Sequence, residues 1–116
     1  MIDEKAADLG RQIGQSPEFQ ALRRAETALR TDPDAVALLD QIQSLAREVD
    51  QAVAGGQMPD ESITQSYETA VRQLELNPTG QAYVVARANF EKLMARVNQE
   101  ISSGMEKGAT SSIITL

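Results

Sequence analysis

The sequence predicts an all-α fold, a long antiparallel helical hairpin or bundle of about five helices that oligomerises through helix faces. Three observations carry this. Apolar residues recur at steps of 4 and 3 through most of the chain, the spacing of one helix face. Ser16-Pro17, Asp32-Pro33 and Asn77-Pro78 each place a helix-capping side chain before a proline suited to the first helical position. No strand-like alternation competes with helix before the C-terminal stretch. A chain of 116 residues suggests one domain. We place it at residues 1–103, with 104–116 as a flexible or weakly docked tail.

The first helix, about residues 2–13, presents Ile2, Ala6, Leu9 and Ile13 on one face. Gly10 weakens it by about 1 kcal/mol, and Gly14 fits its end. The second runs from Pro17 to Arg30, with Phe19, Leu22, Ala25 and Leu29 inward and an expected Glu26–Arg30 ion pair outward. The third occupies Asp32 to Gly56. Its residues Ala35, Leu39, Ile42, Ala46, Val49 and Val53 form a heptad seam of the coiled-coil kind. Its length of about 33 Å calls for another long helix alongside. A second stripe, Leu38, Leu45 and Ala52, makes its apolar face wider than a two-stranded seam needs.

The fourth helix runs from about Pro59 or Asp60 to Leu76, with Ile63, Tyr67, Ala70 and Leu74 on its seam and an expected outward Glu68–Arg72 pair. At Asn77-Pro78 the fourth and fifth helices are expected to meet at a sharp bend, the alternative being one long kinked rod. The fifth helix spans about Pro78 to Ser102, lined by Tyr83, Ala86, Phe90, Leu93, Val97 and Ile101. The fourth and fifth helices are expected to fold back over the third across Gly55-Gly56. Beyond Ile101 the apolar pattern stops and Gly, Ser and Thr dominate, which suits a mobile tail. The closing Ile113, Ile114 and Leu116 offer an alternative, a short anchor on a neighbouring subunit.

Composition removes many functions. The chain has no cysteine and no histidine. Disulfides, thiolate nucleophiles, zinc fingers, cysteine-held iron–sulfur clusters and histidine acid–base catalysis are excluded. A net charge of −6 disfavours nucleic acid as a partner, because such binding rests on neutralising phosphates. No apolar run reaches the roughly 18 residues of a membrane span, so no membrane insertion is expected. The acidic start, Met1 to Gly10, lacks the pattern of a secretory signal. These features together predict a cytoplasmic protein.

No constellation suggests an enzyme. The pairs Asp32 with Asp34 and Asp60 with Glu61 fall at helix starts, where the helix dipole favours acids. No seam position is acidic, so no carboxylate metal site is expected. Ser44 and Ser66 have no marked base beside them. Gly55-Gly56-Gln57 lacks the spacing and trailing lysine of a phosphate loop. Catalytic residues, cofactors and metals are therefore expected to be none. The candidate interface is Leu38, Leu45 and Ala52 with Tyr83, Phe90, Leu93 and Val97 of the last helix. Arg23, Arg24 and Arg30 with Arg87, Lys92 and Arg96 form a candidate basic patch. Its default reading is solvated faces with local ion pairs; docking of an acidic partner or RNA is the alternative. Neither group is interleaved with the stacking aromatics of single-strand binders. Long helices in a short chain predict self-association into a dimer or a pair of dimers.

Several segments together carry a family resemblance. They are Ala6, Leu9 and Ile13; Ser16, Glu18, Phe19 and Leu22; and Leu29, Asp32 and Ala35. A long Gln-containing helix then ends in a loop with an acidic restart, Gly56 to Glu61. Leu74, Asn77 and Pro78 follow, then Val97, Asn98 and Ile101. In this order and spacing, over about residues 3–103, the chain resembles the YlbF/YmcA/YheA family of small helical bacterial proteins. The resemblance implies a non-enzymatic, oligomeric cytoplasmic regulator. Studied members act in competence, sporulation and biofilm formation, in a complex that influences mRNA processing by a membrane-anchored endoribonuclease. Some carry cysteines and bind iron–sulfur clusters; the absence of cysteine here removes that role and points to the YheA-like branch. The function so implied is a regulatory adaptor that binds itself and another bacterial regulatory or RNA-processing protein. The alternative is direct RNA binding through the arginine-rich faces.

Overall fold

The computed structural model describes the backbone of residues 1–114 and the side chains of residues 1–110. Five helices follow one another: α1 (Ile2–Gly14), α2 (Pro17–Arg30), α3 (Pro33–Ala54), α4 (Glu61–Leu76) and α5 (Pro78–Ile114). Their starts are built locally. The Ser16 hydroxyl accepts the Phe19 N–H at 3.1 Å, and the Asp32 carboxylate accepts the Asp34 and Ala35 N–H groups at 3.1 and 3.2 Å. Asp60 accepts the Ser62 N–H at 3.3 Å, and Asn77 accepts the Thr79 and Gly80 N–H groups at 2.9 and 3.1 Å. Each cap satisfies N–H groups that a helix start leaves without partners. Between α3 and α4 the chain turns at Gly56, whose φ of 76° lies in the left-handed region.

The helices pair as α2 with α5 and α3 with α4, both antiparallel. The two pairs meet at one end, where α2 passes into α3 and α4 into α5. Leu29, Ala35 and Leu74 are buried there, with Leu38, Leu39, Ile42 and Tyr83 packed around them. Asn77 holds an extended ψ of 125°, so α4 and α5 are separate helices at a bend. Gly80 lets α5 start directly against Leu74: a β-carbon there would fall 2.6 Å from its Cδ1 and 2.9 Å from its Cγ. The expectation that α5 lies along α3 is corrected by this arrangement. The bend and the close approach at Gly80 turn α5 onto α2 instead, so that α4 alone runs the length of α3.

The caps of α3 and α5 are neighbours at this junction. The Asp32 carboxyl is held below its ordinary pKa, first by the Ala35 N–H and then by the Thr79 and Asn77 side chains and the Asp34 N–H, against partial desolvation. A hydrogen-bonded charged form is the favoured one.

The last helix runs on past the expected end near Ser102 to Ile114. A solvated helix needs its backbone ladder but no apolar stripe. Residues 101–110 are exposed, and the Thr110 hydroxyl donates back to the Glu106 carbonyl at 2.9 Å. The side chains of Ile113 and Ile114, and Leu116 altogether, lie outside the described residues. The expected Glu26–Arg30 and Glu68–Arg72 pairs do not form. Among the described residues the ion pairs are Asp8–Arg11, Arg87–Glu91 at 3.1 Å and Glu18–Arg96 at 3.6 Å. Exposed ion pairs contribute little, so their choice of rotamer is weakly determined.

The resulting shape is flat and long, 61 × 38 × 19 Å. The radius of gyration is 19.8 Å, against about 13 Å for a compact chain of this length. Among the described residues no large side chain is fully buried; the core is Ala25, Leu29, Ala35, Ala70, Leu74 and Ala86.

Candidate partner-binding surface

The thin core leaves apolar surface open along both helix pairs. Exposed area totals 8799 Å², where a compact monomer of this mass would expose about 6200 Å². The candidate interface residues share this surface but form no single patch. Leu38 packs at the junction, while Leu45 and Ala52 are half-buried further along α3. Tyr83 lies in the hollow where the two pairs diverge, beside Leu39, Ile42, Tyr67 and Val71. Phe90 meets Phe19, with ring centroids 5.7 Å apart and planes tilted by 55°. Leu93 and Val97 line a hollow with Leu9 of α1 and Ile101. No residue of α1 is buried, and its Ile2 is 83% exposed.

The basic residues are also divided. Arg24, Lys92 and Arg96 line one groove along the α2/α5 seam, over a floor that includes Ala21, Ala28, Ala82 and Ala95. Arg96 crosses this groove to Glu18. Arg23 leaves it and stacks over the Phe19 ring at 5.6 Å. Arg87 faces the hollow between the helix pairs and pairs with Glu91; hydrogen bonding to Glu91 and the adjacent Tyr83 raise its pKa. Arg30 is exposed at the end of α2. Neighbouring residues on a helix point about 100° apart, so Arg23 and Arg24 cannot serve one face.

The groove between α2 and α5 was absent from the sequence reading, which recognised the arginines and passed over the alanines. Ala21, Ala28, Ala82, Val85 and Ala95 have no inward partner and lie beside the seam; Val85 is 53% exposed. Small residues flanking an arginine or lysine at helical spacing were the available signal. Among the described residues, no three or more His, Cys, Asp or Glu side chains gather so as to hold a metal ion. No helix there is long and apolar enough to cross a membrane.

Fold and surface together define an all-helical protein of two antiparallel helix pairs, joined at one end, with small-residue grooves along the α2/α5 seam. The chain belongs to the family described as control of competence regulator ComK, YlbF/YmcA, which it matches over residues 2–106. It is 30% identical over 97 residues to a UPF0342 protein of Desulfitobacterium hafniense (strain Y51), spanning 84% of this chain and 74% of that protein. Its fold is that of a chain in the crystal structure of Bacillus subtilis RicA in complex with RicF. The TM-score is 0.69 at 19% identity, over 93% of this chain and 96% of that one.

Proposed function

We propose that this chain is a non-enzymatic cytoplasmic adaptor that associates with itself and docks a second regulatory or RNA-processing protein of its host. The observation that carries the reading is the excess of exposed surface over a core that, among the described residues, has no fully buried large side chain. Such a subunit gains most of its remaining apolar burial by association. Membership in a family described as regulating competence supports a regulatory role. The likeness in fold to a chain crystallised as part of RicA in complex with RicF agrees with docking through helix faces. Leu45, Ala52, Leu93 and Val97 are the side chains offered to partners.

Light scattering at about micromolar concentration is expected to report a dimer or larger species, as obligate associations of helical subunits do. A monomer contradicts self-association. Capture of one defined protein from the host lysate, lost on Leu93→Asp with Val97→Asp while helical content is retained, supports docking. Unchanged capture contradicts the assignment of this surface. Direct RNA binding draws less support, because Arg23, Arg87 and Arg96 are engaged with Phe19, Glu91 and Glu18 within the chain.

A further inference from the structure

We propose that the α2/α5 groove receives the α3/α4 helix pair of a second copy of this chain, held by Arg24 and Lys92. The inference rests on the self-association proposed above and names the surfaces that meet.

Charge is segregated between the two helix pairs. Residues 32–76, which contain α3 and α4, carry nine carboxylates against two arginines, a balance of −7. Helices α2 and α5 carry seven cations against five carboxylates, a balance of +2. The whole chain stands at −6, so this net figure conceals a difference in sign between the two helix pairs. Opposite potentials select register and speed encounter, whereas like pairs placed together repel.

The groove has the shape for a helix. Its floor of Ala21, Ala28, Ala82 and Ala95 has no long side chains, so an incoming helix can lie at about the 8–10 Å axial distance of close packing. It follows α2, whose 14 residues extend about 21 Å. Helix α4, with 16 residues, extends about 24 Å. On α4, Glu61, Thr64, Glu68 and Val71 recur at steps of 3, 4 and 3, and Asp50 borders the same side from α3 beside Thr64 and Tyr67. Glu61 and Glu68 on this stripe and Asp50 beside it give the helix pair carboxylates complementary to the cations bordering the alanine floor. Reciprocal docking uses both surfaces of both copies, as a two-fold dimer requires.

The test pairs two charge-reversal variants in sedimentation equilibrium, each first checked for native helical circular dichroism. One is Arg24→Glu with Lys92→Glu; Arg96 is left in place because Glu18 is its partner within the chain. The other is Glu68→Lys with Asp50→Lys. Each alone is expected to weaken self-association at least about tenfold. An equimolar mixture is expected to restore it, because the acidic groove then meets the basic helix pair. Self-association of the unaltered chain is expected to weaken as salt rises from about 50 to about 500 mM, a measurement that depends on neither variant. Variants that associate as tightly as the parent chain, a mixture that stays monomeric, or association indifferent to salt each overturn the proposal while leaving self-association intact. A parent chain that is monomeric overturns both.

Discussion

Gly80→Ala is expected to destabilise the chain, although alanine is the better helix former. In the structure the added β-carbon falls 2.6 Å from Leu74 Cδ1, 2.9 Å from its Cγ and closer still to its carbonyl oxygen. Ordinary contacts of this kind begin near 3.4 Å, and the nearest obstacle is backbone, which cannot swing aside as a side-chain tip can. Overpacking of a tight site costs about 1–3 kcal/mol, and the upper end applies here. The gain from replacing an interior glycine with alanine offsets about 1 kcal/mol. The net loss is about 1–2 kcal/mol, or a melting temperature lower by about 5–10 °C for a domain of this size. Thermal melting followed by circular dichroism at one fixed protein concentration reads this directly. Gly10→Ala is the matched control. Beyond its own helical turns nothing lies within 4 Å of its added carbon, so it is expected to raise stability by up to about 1 kcal/mol. Equal stabilisation by both substitutions would refute the claim that α5 begins in contact with Leu74.

Leu74→Ala is expected to remove about 2–5 kcal/mol, because Leu74 is only 4% exposed and joins both helix pairs; a urea midpoint close to that of the parent would contradict the junction as the core. Ser16→Ala and Asn77→Ala each delete a helix cap and are expected to cost about 1 kcal/mol, measured by chemical denaturation. Asp32 bears on acid stability. Its folded-state pKa is lowered, so its stabilising contribution is complete above the ordinary carboxylate range and is lost as pH falls through the folded value. Asp32→Asn is therefore expected to flatten the loss of stability below about pH 4; an unchanged acid limb in urea titrations contradicts the capping network.

The helix starts were legible because their causes are local. Ser16, Asp32 and Asn77 each bond N–H groups two or three residues ahead, and a proline follows each. The pairing of α4 with α3 across Gly55-Gly56 was legible, but the partner of α5 was not. Ala25 of α2, Ala35 of α3, Ala70 of α4 and Ala86 of α5 are all buried, and one alanine seam is chemically like another. The choice was made by Asn77 and Gly80, whose effect on direction is three-dimensional. The extension of α5 was missed because the apolar stripe ends at Ile101 while the backbone ladder continues. Arg23 and Arg24, grouped by their adjacency in sequence, diverge around the helix: Arg24 borders the α2/α5 groove and Arg23 stacks over Phe19. Leu93 and Val97 were placed on a seam, and the structure sets them in an open hollow with Leu9, a residue far away in the chain.

The two helix pairs share only the junction at Leu29, Ala35, Leu74 and Gly80, and that has a mechanical meaning. Helix α3 has 22 residues and a length of about 33 Å, so it acts as a lever with its fulcrum at Asp32. A rotation of about 10° at the junction moves its far tip by about 6 Å, roughly one helical pitch. Substitutions at the fulcrum are therefore placed to change the span between the two pairs.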